Sequence, residues 1–369
     1  MPERKHNAVR IFVAIVFTFV LSTCGGGGGG GSSNGGGGSA SMNGKYFVVA
    51  QGVGDNGQPV VGWNLEKTGD VTWNGNGSAT FNWIRYSTLT GSSSYSESTT
   101  WSTSGDDLSF SPPAGSTQRD GKINLSGDVV IWANIRMTSE QEIGFGVKAS
   151  SSGMSDGSLT GKYWGVTFTA GNGQRNCSFD TWNFDGAGNG SISLTVNDAA
   201  LGIITGSDSG GYTVGSDGSF SLGFAQGGIN PSADTIVYGT AIGPGFGTGI
   251  AIKAGASTGY NNASLNGVYK VVAHGEGAGV TDSYTGLASI SFNGSGSCSV
   301  TGGHEAILSV TANDPISASA GTYSVNPDGT FTFTIGGQTY DGAINQNGNK
   351  FVMTNIRNQG MQEIYFGVK

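Results

Sequence analysis

The sequence repeats one pattern three times, and this repetition limits the possible folds more than any other feature. Each copy opens on a Gly-x-Tyr tripeptide and ends on a lysine. The opening tyrosines and closing lysines are Tyr46, Tyr163 and Tyr269, and Lys148, Lys253 and Lys369. Self-similarity of this kind indicates repeated structural units. We predict β-units at residues 42–148, 159–253 and 265–369, joined by linkers at residues 149–158 and 254–264.

Turn signals and apolar alternation predict the structure within each copy. An Asn-Gly or Asp-Gly pair separates two apolar runs near the same place in each unit, at Asn74, Asp185 and Asn293. Such pairs are the strongest short-range signal of a β-hairpin. Apolar residues recur at every second position, as at Phe331 and Phe333, which is the period of a strand with one buried face. The runs between turns predict about eight strands per unit.

The glycine content excludes other fold classes. Of the 369 residues, 68 are glycine, more than twice the usual share of about 7%. A glycine inside a helix costs about 1 kcal/mol relative to alanine, so a helical bundle is excluded. No Gly-X-Y period runs through the chain, which excludes collagen. The predicted fold class is all-β.

Three arrangements of eight antiparallel strands remain open. Small up-and-down β-barrels are favoured, because hairpin connections lead directly to closure and closure removes exposed strand edges. β-Sandwiches are the alternative, although the units lack the paired cysteines and the central Trp that mark a sandwich of the immunoglobulin type. A propeller is disfavoured because no half-unit repeat is visible. We therefore expect three tandem antiparallel meander units that form barrels.

The N-terminus has the layout of an export signal. Positive charges at Arg4, Lys5 and Arg10 precede an apolar run from Ile11 to Leu21. This run is shorter than the ~20 residues that a helix needs to span a bilayer, so residues 1–23 are predicted to be a signal peptide. Residues 24–41 are rich in Gly and Ser and are predicted to be a flexible tether about 20–25 Å long.

The end of this leader carries a recognisable motif. Leu21-Ser22-Thr23-Cys24 resembles the lipobox of bacterial lipoproteins. The resemblance implies that Cys24 becomes the lipidated first residue of the mature chain and anchors it to a membrane. Gly25 in place of an aspartate implies, again by resemblance, the outer membrane. We expect an exported protein, anchored by lipid to the cell envelope.

The openings of the units carry a second resemblance. A Gly-x-Tyr at the start of a first strand resembles the Gly-x-Trp of the calycin barrels, the lipocalin and avidin group. The resemblance implies that a basic residue from the last strands packs over the aromatic ring. Arg136, Arg357 and the closing lysines are the candidates. It also implies a carrier function, with a small apolar ligand inside each barrel.

No catalytic or cofactor site is predicted. Two G-x-S-x-G patterns, at Ser155 and Ser257, lie in the linkers and not at a strand-to-helix elbow. His274 and Glu276 share a strand face, but no third metal ligand can be placed. Both His274 and His304 are therefore expected at the surface or in loops.

The two cysteines of the units are predicted to be unpaired. Cys177 and Cys298 lie at non-equivalent positions, and isolated thiols are favoured over a disulfide bridge.

Two groups of residues are candidates for ligand binding. Each group alternates along the predicted seventh strand of its unit, and polar residues on one face of a strand can line a barrel mouth. The groups are Trp132, Asn134 and Arg136 in the first unit and Met353, Asn355 and Arg357 in the third. Five of the seven tryptophans fall in the first unit, where core packing is the favoured role.

The net charge and these motifs together predict the function. A net charge of −8 makes nucleic acid an unexpected partner, because its phosphates require clustered Lys and Arg. We expect a non-catalytic, lipid-anchored envelope protein that presents three β-units for surface binding, with glycan as a possible ligand, or for a structural role. The alternative is the calycin-like carrier, which requires a barrel cavity of about 300 Å³ or more.

Overall fold

The computed structural model describes most of the three units. The described residues are 42–54, 63–87, 91–111, 119–124, 126–151, 153–171, 174–242, 245–256, 258–277, 282–358 and 360–369. The predicted signal peptide, the tether and Cys24 lie outside these residues. Within them, no helix is long and apolar enough to cross a membrane. The helical segments there are two single 3-10 turns, Asp156–Ser158 and Asn262–Ser264.

The first unit is a closed antiparallel barrel, barrel 1. Each strand pairs with the next, and β1 also pairs with β8. The strands are β1 (Asn43–Gly54), β2 (Trp63–Asn74), β3 (Ser78–Ser87), β4 (Gly91–Ser104), β5 (Asp107–Ser111), β6 (Arg119–Ile123), β7 (Val129–Ala133) and β8 (Glu140–Lys148).

The second unit closes in the same way, through pairing of β9 with β16, and forms barrel 2. Its strands are β9 (Thr160–Gly171), β10 (Gln174–Asp185), β11 (Asn189–Asp198), β12 (Gly202–Val214), β13 (Ser219–Leu222), β14 (Ala225–Ile229), β15 (Thr235–Ile242) and β16 (Gly245–Lys253).

The third unit, barrel 3, closes through pairing of β17 with β25 and of β18 with β19. Its strands are β17 (Asn266–Glu276), β18 (Tyr284–Asn293), β19 (Ser297–Ile307), β20 (Thr311–Pro315), β21 (Ser319–Val325), β22 (Thr330–Ile335), β23 (Gln338–Ile344), β24 (Lys350–Thr354) and β25 (Gln362–Val368). The short β20 pairs with the end of β19. The barrel prediction is confirmed, and the sandwich alternative is wrong.

Apolar side chains fill the barrel interiors. The predicted alternation places Phe331, Phe333 and Ile335 inside barrel 3, while the threonines between them are half-buried. Trp73 and Trp132 are buried in barrel 1, and Trp182 in barrel 2. These tryptophans are core residues, as expected. The cavity inside barrel 3 measures ≈ 10 Å³, which is too small for more than one water molecule.

The repeated Gly-x-Tyr has a clear structural role. The glycines adopt the left-handed backbone, with φ of +94° at Gly44, +82° at Gly161 and +94° at Gly267, where a side chain would be strained. The tyrosine that follows is fully buried in each barrel. Its hydroxyl donates to a backbone carbonyl in the turn before the seventh strand; the acceptors are Gly127, Ala233 and Gly348. Each tyrosine therefore fastens that turn to the first strand.

The closing lysines cover these tyrosines in two barrels. The ammonium of Lys253 lies 5.7 Å from the ring centre of Tyr163, and that of Lys369 lies 5.0 Å from Tyr269. Arg136 and Arg357 instead pair with Asp120 and Asp341. The expected contact of a basic residue with the ring is therefore made by lysine, whereas the calycin resemblance itself stays a prediction.

The three barrels share a second core, formed between them by their outer walls. It contains Val49, Phe145, Val166, Phe168 and Phe366, among others. The first two strands of each barrel contact the last strands of the next. β1 and β2 contact β14, β15 and β16 of barrel 2. In the same way, β9 and β10 contact β24 and β25 of barrel 3, and β17 and β18 contact β7 and β8 of barrel 1. This is a cyclic, head-to-tail arrangement of three similar units within one chain.

Candidate functional site

The structure places the six predicted ligand residues in two separate regions. β7 ends at Ala133 and β24 at Thr354, so Asn134 and Asn355 lie just beyond their strands and not within them. Trp132 and Met353 are 1% exposed and belong to the barrel interiors. The predicted seventh strands are thus shorter than expected, because the chain leaves the barrel wall to contact a neighbouring barrel.

These two asparagines shape contacts between barrels. The Asn134 carbonyl accepts a hydrogen bond of 2.8 Å from the Thr285 hydroxyl of barrel 3. The Asn355 carbonyl accepts one of 2.8 Å from the Asn197 amide of barrel 2. Each asparagine side chain also accepts from the backbone N–H two residues later, at Arg136 and Arg357. The loops after β7 and β24 are therefore in contact with neighbouring barrels.

The two arginines lie at the surface and are already paired. Arg136 Nε donates to Asp120 Oδ2 at 2.6 Å, and Arg357 makes the equivalent bond to Asp341 at 2.6 Å. The hydrogen bonds to these aspartates raise the pKa of both guanidinium groups. Ligand binding by these residues stays a prediction.

Each barrel also holds a buried carboxylate that the sequence analysis did not identify. Glu142 accepts from Arg119 Nε at 2.7 Å, Asp180 accepts from the Thr167 hydroxyl at 2.6 Å, and Glu363 accepts from the Tyr284 hydroxyl at 2.8 Å. Burial raises the pKa of Asp180 and Glu363, against the opposing effect of these hydrogen bonds. All three carboxylates are 1% exposed, and each accepts hydrogen bonds from other buried side chains of its barrel.

The histidine expectation is partly wrong. His274 is fully buried, and its ring lies 4.7 Å from that of Phe168 across the contact of barrels 2 and 3. His304 is exposed, as expected. Among the described residues, no three His, Cys, Asp or Glu side chains group as metal ligands would. Cys177 and Cys298 are both free and buried, which confirms isolated thiols.

A groove between barrels 1 and 2 is a candidate binding site that the described residues form. Its volume is ≈ 520 Å³ and it is open to solvent. Barrel 1 contributes residues from β1, β2 and β3, and barrel 2 contributes residues from β12, β13 and β14. The lining residues include Phe47, Asp70, Ile84, Thr213, Ser219, Phe220, Ser221 and Gln226. This volume lies within the range of about 300–1,000 Å³ that is typical of ligand sites.

The floor of the groove depends on one close contact between the barrels. The ring of Phe47 packs directly on the backbone of Gly228, where an added Cβ would lie 2.1 Å from a ring carbon. Only glycine leaves room for the ring there, because real side chains essentially never approach so closely. Ile84, at 45% exposure, stands at the edge of the floor.

Asp70 lines one wall of the groove, and charged and polar groups surround it. Asp70 Oδ1 accepts from the Asn82 amide at 2.9 Å, and Asn82 in turn accepts from the Ser96 hydroxyl at 2.7 Å. Lys45 Nζ lies 3.9 Å from Asp70 Oδ2 and 3.3 Å from Asp217 Oδ2 of barrel 2. It also lies 4.8 Å from the centre of the Phe47 ring. One ammonium group therefore serves two carboxylates at this wall.

Comparisons with known proteins find little. No protein-family model matches the chain, and no curated protein is significantly similar to it. Among solved structures, the isotype 1 transferrin-binding protein B of serogroup B Neisseria meningitidis is similar with a TM-score of 0.26 and 10% identity, over 89% of this chain and 77% of that one. The vaccine antigen transferrin-binding protein B of Haemophilus parasuis gives a TM-score of 0.22 and 9% identity, over 88% and 75%. Likeness at this level is no argument for a shared ligand.

The groove was absent from the sequence-based candidates for a physical reason. Its walls come from strands separated by more than a hundred residues, and none of its residues forms a motif with its neighbours in sequence. The only local signal is the Gly227-Gly228 pair on β14, since consecutive glycines in a strand indicate close approach of another group.

Proposed function

We propose that this protein is a non-catalytic, lipid-anchored protein of the cell envelope, and that its three fused barrels bind a ligand in the groove between barrels 1 and 2. The observation that carries the proposal is the groove itself, with ≈ 520 Å³ of space between the walls of two barrels. A groove between two closed sheets is held in shape by both barrels, which lowers the cost of ordering a site on binding.

The small cavities of barrels 2 and 3 favour this proposal over the carrier function. A carrier of the calycin kind holds its ligand inside the barrel, where about 300 Å³ is the lower limit for a ligand. The cavity inside barrel 3 measures ≈ 10 Å³. A second cavity of ≈ 140 Å³ lies where β12 leaves β13 in barrel 2, and it is also below this limit.

The buried acids support a non-catalytic role. General acid–base catalysis requires a titrating group within hydrogen-bond reach of the substrate. Glu142, Asp180 and Glu363 have shielded positions and internal partners. At the groove, Asp70 is held by Asn82 and Lys45 and has no histidine or second free carboxylate among the residues that line the site.

The lipid anchor is tested by replacing its attachment atom. In cells, Cys24→Ser is expected to move the protein from the membrane fraction to the soluble fraction, because the thioether that carries the lipid cannot form. Cys298→Ser, which changes a buried thiol of barrel 3, serves as the control and should leave the protein in membranes. Equal membrane partition of wild type and Cys24→Ser would contradict the anchor.

The binding site is tested with the detergent-solubilised full chain. Its melting temperature is measured against a panel of oligosaccharides, peptides and apolar small molecules, because a ligand of the folded state raises it. Ile84→Trp should fill the groove and abolish the shift produced by the ligand. Ile203→Trp, at a similarly exposed isoleucine on β12, is the matched control. A panel with no shift, or a shift that Ile84→Trp leaves unchanged, would contradict the groove as the site.

A further inference from the structure

We infer that the groove between barrels 1 and 2 takes a neutral saccharide. This inference rests on the proposed function, since it specifies the ligand of that same site. It follows from the charges at the wall, from the hydrogen-bonding groups around the groove, and from the small apolar area that the floor exposes.

The charges at the groove disfavour an anion. Lys45 is the basic group at the wall, and it is shared by Asp70 and Asp217, so two carboxylates face one ammonium. Burial raises the pKa of Asp217, but hydrogen bonds from Ser219 and Lys45 together lower it by more, so the net shift favours the charged form. The whole chain carries a net charge of −8. An anionic ligand would be repelled here, and a neutral one would not.

The hydrogen-bonding groups match a ligand with many hydroxyls. Ser219, Ser221 and Thr213 line the barrel 2 side, and each hydroxyl can both donate and accept. Gln226 adds an exposed amide, and Asp70 adds acceptor positions that Asn82 and Lys45 do not use. Sugar hydroxyls have the same dual character, and a charged acceptor such as Asp70 strengthens the bonds that they donate.

The surface that lines the groove is more apolar than polar, but its apolar part is too small to hold an apolar ligand by burial alone. Phe47 is 7% exposed and Phe220 3%, so their rings offer only edges to the groove. Ile84 is the one lining residue among the large apolar side chains that is substantially exposed. At about 25 cal/mol per Å² of buried apolar surface, such edges contribute little. They suffice to contact the C–H face of a sugar ring while its hydroxyls bond to the walls.

The test is a direct titration of neutral oligosaccharides. An array of neutral glycans identifies a binder of the detergent-solubilised full chain, and calorimetry then measures its affinity. Asp70→Asn, which keeps an acceptor for Asn82 but removes the charge, should weaken binding at least tenfold. Asp328→Asn is the control, because it removes the charge of an aspartate that faces Lys162 outside the groove, and it should bind as wild type does.

The outcomes separate this inference from the proposed function. Saccharide binding that is lost in Ile84→Trp and weakened in Asp70→Asn, with an unchanged melting temperature of the free variants, supports the inference. If an apolar, peptidic or anionic ligand binds in the groove and no neutral glycan does, the saccharide is overturned and the proposed function stands. If Ile84→Trp changes no shift in melting temperature that a ligand produces, both the saccharide and the proposed function are overturned.

Discussion

The contact between barrels 1 and 2 and the contact between barrels 3 and 1 use equivalent positions in opposite ways. Phe47 directly follows the buried Tyr46, and Lys270 directly follows the equivalent Tyr269. The residues that face them are also equivalent. Gly228 pairs with Ser219, the first residue of β13, and Lys122 pairs with Asp107, the first residue of β5. An aromatic ring therefore lies on glycine in one contact, and two lysines meet in the other.

The difference shows that the barrel is repeated more faithfully than its packing surfaces. Burial, together with the nearby Lys270, lowers the pKa of Lys122 to about 8, against the raising effect of Asp106. Between barrels 2 and 3 the equivalent of Phe47 is Trp164, with the Lys162 ammonium 3.5 Å from its ring centre. The tyrosine inside each barrel is the same residue, whereas the residue after it is adapted to each neighbour.

Removing the aromatic ring from the first contact should have the largest effect. Phe47→Ala deletes a ring that is 7% exposed and packed on Gly228, and large-to-small core changes of this kind cost about 3 kcal/mol. Denaturant unfolding measures the free energy of unfolding. Ile84→Ala, at an exposed position of the same groove, should cost less than about 1 kcal/mol. A loss for Phe47→Ala no larger than that of its control would show that the ring is not an anchor.

Adding one methyl group to the opposite side should have a smaller effect. In Gly228→Ala the new Cβ meets the Phe47 ring, and overpacking of this kind costs about 2 kcal/mol. Gly210→Ala is the control, since a Cβ at Gly210 meets no atom within 4 Å. Phe47 Cβ would also lie 2.3 Å from the new methyl group, so the test background is Phe47→Gly, in which the cost of Gly228→Ala should largely vanish. Additive losses in the double variant would disprove the direct contact.

The lysine contact should make stability depend on pH, with the smallest effect. Below pH 8 Lys122 is protonated in both the folded and the unfolded chain, so its unfavourable burial is fully present. Above pH 8 the folded state loses this proton first, because its pKa lies below the unfolded value of 10.5. The unfolded state then binds more protons, and stability rises with pH.

Lys122→Met isolates this contribution. Between pH 7 and 9 wild type should gain about 1 kcal/mol relative to Lys122→Met, whose side chain does not titrate. Unfolding at each pH measures the difference, and taking it against the variant cancels the titration of other groups. The ion pair of Lys122 with Asp107 opposes the effect. Parallel pH profiles would mean that this ion pair outweighs the repulsion by Lys270.

Much of the fold could be read from the sequence, because its signals are local. Alternation places Phe331 and Phe333 on an inner face, and Asn-Gly or Asp-Gly turns mark the hairpins. The ends of the strands were harder to predict from the sequence. β7 ends at Ala133 because the residues after it contact barrel 3, and no residue within the strand indicates that contact.

The burial of His274 and the groove depend on contacts between units. His274 sits on an outer face of β17, where a polar residue normally indicates solvent, and Phe168 of barrel 2 covers it. The groove likewise exists only where Phe47 meets Gly228 across two barrels. Periodicity tells which residues share a face of a strand, but not what lies opposite that face.

The sequence by itself determined that the chain forms three similar all-β units, because turns and alternation act over a few residues and are written into each copy. Only the tertiary structure decided how the units pack. Their outer walls bury against one another in a cyclic order, and the space left between two of them is the candidate binding groove. Such space depends on the shapes of surfaces that are distant along the chain, which a local pattern does not encode.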